Sequence, residues 1–450
     1  MENIKLMIRC RYITLYTLSI FISFFLSFPL YAENSMVPLL EKRLNAEFSK
    51  PMKVNQDSVI YAVVGGKIRQ AGWLLKNSVL LMQPTKNNFY RFHFGNSEGY
   101  ITQQQASEEK KNQFPADSLK QLDKPVYDYL VTTKQTTIYE DADEKSKIIG
   151  FLSANLRYPV LNRIAKNVKH NSSSLNSWFI IDFGGRLAFI DGQDVSLDKG
   201  IPILTYHHLL PDNENKLFRH TSTTTSVAAF KAQMDYLKQA DYQTITLDEV
   251  DGYLKKKINL PGKVVSITFD DGLKSVYRYA YPILKAHGQV ATLFVISSRI
   301  KFHDQKWDPH GLQFMSRHEL KDSRDVFDIQ SHSHFLHRLD NKNQPIIFSR
   351  SYRTVKLDFS RSRRELAPFN PFQRYLAYPF GAYNKQAMDA AEASGMTLAL
   401  TTIQGKVKLG DNPYALKRLY ALRNDPIEKF AQMVGNGEQQ VINKDIIIDQ

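Results

Sequence analysis

Ser266-Ile267-Thr268-Phe269-Asp270-Asp271-Gly272 places two adjacent carboxylates at the exit of an apolar run. Val264, Val265, Ile267 and Phe269 make that run short and β-branched, the composition of a buried strand, and Gly272 breaks it. Two charges at the end of such a strand are costly unless they have a partner or a task. Further along, Ser331-His332-Ser333-His334-Phe335-Leu336-His337 clusters three imidazoles. Carboxylates with clustered imidazoles point to metal-dependent hydrolysis. One Asp and two His leave a coordination position open for water, the arrangement of catalytic zinc sites. The ion acidifies that water and polarises a carbonyl, and a second carboxylate beside the ligand takes the proton. In an extended strand Asp270 and Asp271 oppose one another. The strand ends here, and Gly272 permits a turn that brings both toward one pocket. Geometry alone leaves the histidines open. His332 and His334 at i, i+2 share a strand face, whereas His332 and His337 need a loop or helical turn between them. His93, His170, His287, His303 and His318 stand alone and are read as structural or exposed.

The elements around these residues form a pattern from about residue 200 onward. Ile203-Leu204-Thr205-Tyr206 is strand-like, and Phe230, Met234 and Leu237 recur at helical spacing. Lys263–Phe269 is a strand, and Val276 to Ala286 is helical with Gly288 as its stop. Thr292–Ile296, Phe327–Ile329, Tyr375–Ala377 and Leu398–Leu400 are further strands, and Met388 to Ser394 is a helix ending at Gly395. Strands alternating with helices indicate parallel βαβ units. In a barrel of such units the active site lies at the C-terminal ends of the strands, where Asp270, Asp271 and His332 all fall.

The 450 residues allow two or three domains, and a hydrophobic share of 43% supports real cores. The net charge of +14 suits an anionic surface or wall polymer, but no nucleic-acid-binding motif is present, so nucleic acid is not expected as a partner. Lys5, Arg9 and Arg11 precede an apolar run from Tyr12 to Leu30, followed by Leu30-Tyr31-Ala32, a small-residue cleavage pattern. This is a secretory signal, and it implies a secreted, periplasmic or cell-envelope protein. Membrane contact is expected only if the signal stays uncleaved. Its removal takes three basic residues and one acidic residue and leaves +12. Cys10, inside the signal, is the single cysteine. The mature chain therefore has no disulfide, and any metal site uses His and carboxylates.

Upstream of residue 200 there is an internal repeat. Phe89–Ile101 aligns without gaps to Trp178–Ile190, each an aromatic strand, a Gly-containing turn and a second strand. Thr137–Tyr139 and Tyr158–Leu161 are further short strands. A lone hairpin is not stable, so each copy is expected to close a larger β unit. The layout is similar to small SH3-like barrels, which gives two expected roles, spacer or contact with a wall or glycan. Thr102 to Lys124 is polar and is read as a linker, and His170 to Ser177 as a loop.

Thr268-Phe269-Asp270-Asp271-Gly272 resembles the first motif of polysaccharide deacetylases, the NodB-homology or carbohydrate esterase family four. Ser331–His337 resembles the second motif, with the longer His spacing of the poly-β-1,6-N-acetylglucosamine deacetylase branch. Tyr378-Pro379-Phe380-Gly381 resembles the third. The resemblance implies Asp270 as general base and Asp271, His332 and His337 as ligands of one divalent ion, zinc, with cobalt or nickel as alternatives. It places the Phe380 backbone N–H at the oxyanion. It also gives a general acid in Tyr206-His207-His208, where His207 is preferred to His208. Tyr378, Pro379 and Arg418 are assigned to the substrate, and Trp307 and Tyr378 are candidates for stacking on a sugar. There are departures. Ala377 stands where many members carry Arg, and no Leu-x-His motif occurs near the C-terminus. Arg418 is a substitute for that Arg, a substrate contact, or a surface charge.

The expected architecture is α/β: a deformed (β/α) barrel of the polysaccharide deacetylase type, preceded by a mainly-β region of two SH3-like units. The boundaries are 1–32 signal, 33–124 first unit with linker, 125–198 second unit, 199–425 catalytic domain and 426–450 tail. The expected activity is N-deacetylation of N-acetylglucosamine units in a polysaccharide, an exopolysaccharide or else peptidoglycan. A catalytically silent glycan-binding protein is the alternative from another class. A glycosidase fits poorly, because its paired carboxyls are separated across a sugar.

Overall fold

The computed structural model describes residues 49–109, 126–166, 176–422 and 425–436. The expected signal, most of the polar linker, most of the His170–Ser177 loop and the last residues lie outside them.

Seven strands close a parallel ring: β1 (Ile203–Tyr206), β2 (Val264–Phe269), β3 (Ala291–Val295), β4 (Phe327–Ser331), β5 (Tyr375–Ala377), β6 (Leu398–Gln404) and β7 (Leu416–Tyr420). Neighbours pair in sequence order, and β7 returns to β1, which also pairs with β2. Strands covered on both sides carry few exposed positions, and β1, β2, β3 and β5 are buried at every residue. Along β2, Val265, Ile267 and Phe269 pack outward with Phe230, Met234 and Leu237 of helix α1 (Val227–Gln239). The alternate positions Thr268 and Asp270 face the interior, where Arg418 of β7 reaches them past β1.

The outer helices follow local signals. Ser226 caps α1 by accepting from Ala229 N–H, and a Thr246–Glu249 capping box starts α2 (Leu247–Leu254). Helix α3 (Tyr281–His287) follows a π-turn over Val276–Ala280 and stops at left-handed Gly288, the expected stop. Then come α4 (Arg317–Asp322), α5 (Tyr352–Leu366), α6 (Lys385–Ala393) and α7 (Ile427–Val434). Helix α7 corrects the expected tail at 426–450. Phe430, Ala431 and Val434 join the core around β2, so the barrel domain runs past residue 425.

Both repeat copies form the expected hairpins, Phe89–Phe94 with Ser97–Thr102 and Ser177–Asp182 with Leu187–Asp191. Each is followed by a 3-10 turn and a short strand, Gln103–Gln105 then Ala106–Glu108, and Gly192–Asp194 then Val195–Leu197. The first of these turns lies inside the stretch expected to be linker. The halves do not close separate units. Lys67–Leu74 pairs with Ile148–Leu152, Phe94 bridges to Phe183, and one apolar cluster runs from Met52 to Val195. Sharing a core and a strand pairing removes an exposed edge from both halves.

This β region seats on the N-terminal mouth of the barrel. Asn259 donates to Phe94 O at 3.0 Å and accepts from Asn96 N–H at 2.7 Å. Arg157, buried, donates to Asp198 and to the carbonyls of Pro261 and Gly262. Tyr129 packs with α2 and the strand starts Ile203, Val264, Tyr375 and Leu398. The opposite mouth carries the sequence motifs.

Candidate active site

Three strand exits converge on one pocket. After β2 the chain turns through Asp270, Asp271 (φ 74°) and Gly272 (φ 74°). After β4 it passes His332 and Ser333 (φ 67°) toward His337, and after β5 a 3-10 turn holds Phe380 (φ 59°) and Gly381 (φ 68°). Left-handed backbone is inexpensive at glycine but costs about 1–3 kcal/mol at a residue such as Phe. Each motif thus carries a non-glycine residue in this conformation. Gly272 alone does not make the first turn, because Asp271 is itself left-handed.

Asp271 Oδ1 lies 3.5 Å from His332 Nε2 and 3.2 Å from His337 Nε2. The three ligand atoms all fall within 4.8 Å of one another. His332 Nδ1–H donates to Ala377 O at 2.7 Å, which leaves a lone pair on Nε2. Burial, with His332 alongside, pushes the His337 imidazole down to about 4, so His337 is neutral at pH 7. Asp271 Oδ1 is buried and accepts no hydrogen bond among the described residues. Three electron-pair donors facing one point repel unless a cation lies between them, and a two-nitrogen, one-oxygen set suits zinc with an open position. These residues fit a divalent ion.

Asp270 is 2% exposed, and Arg418 grips it with two 2.8 Å hydrogen bonds, one to each oxygen. Burial alone would raise its pKa. The guanidinium opposes that, with His332 and His207 assisting, and holds the carboxyl well below the usual carboxylate range. His207 Nε2 lies 3.8 Å from Asp270 Oδ2. The His207 ring stacks on Tyr420 with centroids 6.2 Å apart, and burial lowers its pKa against the pull of the two aspartates. The Phe380 ring, 42% exposed, lies 4.2 Å from that of His337.

The pocket therefore gathers Asp270, Asp271, His332, His337, His207 and Phe380, and leaves out other residues expected there. His334 is engaged by Ser297 Oγ at 2.9 Å and His208 by Ser275 Oγ at 2.8 Å, which separates each from its neighbour in the pocket. Three substrate assignments need correction. Tyr378 is fully buried in a core cluster with its hydroxyl on Tyr414 O, and Pro379 is buried inside its turn. Arg418 is 0% exposed, and its hydrogen bonds go to Asp270, Thr268 and Thr401 O, so it is neither a surface charge nor placed to touch a sugar. Of its three expected roles, a substitute for the Arg absent at Ala377 fits this grip on Asp270, which comes from β7. Trp307 donates to Glu214 and is half-buried, with Arg278 over its ring at 5.4 Å, so that face is already covered. Sequence reasoning missed Tyr420 and the Ala377 carbonyl. Tyr420 shares a face of β7 with Arg418 and was findable from that period, but a backbone acceptor leaves no trace in sequence.

Comparison with known proteins agrees with this geometry. Residues 257–399 match the family model described as polysaccharide deacetylase. A poly-β-1,6-N-acetyl-D-glucosamine N-deacetylase of Staphylococcus epidermidis is 30% identical over 202 residues, covering 44% of this chain and 68% of that protein. The protein of the same name from Staphylococcus aureus is 29% identical over 227 residues, covering 48% and 77%. The solved structure of IcaB from Ammonifex degensii is 29% identical, covers 52% of this chain and 96% of that one, and gives a TM-score of 0.45. With its closed seven-strand barrel, this chain belongs to the polysaccharide deacetylases, hydrolases of a non-peptide carbon–nitrogen bond.

Proposed function

We propose that the chain is a secreted, metal-dependent N-deacetylase of an exopolysaccharide of the poly-N-acetylglucosamine type. The carrying observation is the convergence of Asp271, His332 and His337 beside an ionised, buried Asp270. An ion held by those three residues supplies Lewis-acid chemistry, acidifying water and polarising a carbonyl oxygen. The chain's own groups do the rest. Asp270, kept charged by Arg418, takes the proton of the attacking water. The Phe380 N–H faces the oxygen that gains charge, and His207 returns a proton to the departing amine. Acetate and a glucosamine amine result.

The relatives' names support the β-1,6 polymer, and the Lys5–Ala32 pattern supports export to the periplasm or cell envelope. Wall or glycan contact is proposed for the β region on its SH3-like layout. The test is acetate release by the purified chain with zinc, cobalt or nickel, on poly-N-acetylglucosamine beside intact peptidoglycan. Release from the first substrate alone is expected. Release from peptidoglycan alone would move the substrate to the wall, and release from neither would leave a glycan-binding role.

A further inference from the structure

The loop between His332 and His337 is not held by its own residues. Ser333 is left-handed, and the amides of His334 and Phe335 need acceptors away from solvent. Both find one carboxylate. His334 N–H donates to Asp358 Oδ1 at 2.8 Å, and Phe335 N–H to Asp358 Oδ2 at 2.7 Å. Asp358 lies on the inner face of α5 and is 9% exposed. One turn on, Ser362 Oγ accepts from Ser331 Oγ at 2.8 Å. A buried carboxylate is expensive, and one that binds two consecutive N–H groups, an oxygen to each, fixes the peptide plane between them. An amide side chain of the same size has a single acceptor and cannot do this.

We propose that Asp358 is a positioning residue for the ion. It sets the separation of the His332 and His337 rings before any ion arrives, so ion affinity depends on a helix that contributes no ligand. This rests on the reading of Asp271, His332 and His337 as a divalent-ion site.

The test is zinc affinity of the chelator-stripped full chain, by competition with a chromophoric chelator, alongside the melting temperature of the ion-free form. Asp358→Asn is expected to weaken zinc binding about 10–100-fold, with turnover recovered at saturating zinc. Leu357→Ala, an exposed position on the same helix, is expected to leave the affinity unchanged. A merely structural Asp358 would lower the melting temperature and leave zinc affinity within threefold of wild type, and that result overturns the proposal. Should Asp358→Asn not fold, Asp358→Glu, which keeps the charge but shifts it, carries the same comparison with a smaller expected loss. A wild-type chain that takes up no zinc sinks the ion site and this inference together. Uptake with unchanged affinity in the variant sinks this inference alone.

Discussion

The barrel buries one Arg–Asp pair at each mouth, and the two pairs differ in what surrounds them. At the N-terminal mouth, Asp198 accepts from Arg157 twice, from Gly200 N–H and from Tyr253 Oη. Its lone pairs are used, and the site is finished. At the C-terminal mouth, Asp270 accepts hydrogen bonds from Arg418, with His207 standing off at 3.8 Å. It is charged, buried and, among the described residues, bonded by its carboxylate to Arg418 alone. A buried ion pair is therefore weak evidence for function by itself, and the unfilled capacity of its carboxylate is better evidence.

The largest expected effect separates the mouths cleanly. Asp270→Asn should cost about 10²–10⁴-fold in acetate release while zinc binding, measured directly, persists. Asp198→Asn should leave turnover per folded molecule unchanged. Near-normal release by Asp270→Asn would remove the contrast.

Arg418→Met comes next. Without the guanidinium, burial is the dominant influence left on Asp270 and raises its pKa. Since Asp270 must be ionised to act as the proposed base, the acid limb of kcat/KM is expected to move to higher pH and activity at pH 7 to fall. In the wild type the folded-state pKa is depressed, so the pair stabilises the fold above the unfolded value of about 3.9 and loses that contribution as pH falls further. Breaking the pair should cost about 3–5 kcal/mol at neutral pH, less in acid, read from melts across pH.

Arg157→Met should cost a similar ~3–5 kcal/mol with no shift in the pH profile of the folded fraction. A shifted profile would mean that the mouths are coupled. The smallest effect belongs to Asn259→Ala. Loss of its side-chain bonds to Phe94 and Asn96 should cost about 1–3 kcal/mol and leave KM unchanged.

What the sequence made legible follows from what is local. Asp270-Asp271-Gly272 and the His332–His337 spacing are short-range signals at strand ends, and the hairpins at Phe89 and Trp178 carry their own turns. What stayed hidden is long-range. Arg418 could be read as a substitute Arg, a substrate contact or a surface charge, because Leu416-Lys417-Arg418-Leu419 mixes charge into a strand, and only ring closure sends its side chain inward across β1. Tyr378 and Pro379 belong to a recognisable motif, yet motif membership does not say which side chains line the pocket and which prop up the turn. The merged β core was invisible for the same reason, since pairing between Lys67–Leu74 and Ile148–Leu152 joins segments far apart in the chain.

The acceptor for His332 is a peptide carbonyl, that of Ala377. Main chain is immune to side-chain replacement, so the tautomer that presents Nε2 survives whatever residue occupies position 377. That freedom is compatible with a residue as small as alanine at this position. The guanidinium that holds Asp270 arrives from β7 and leaves undisturbed the imidazole that depends on this spot.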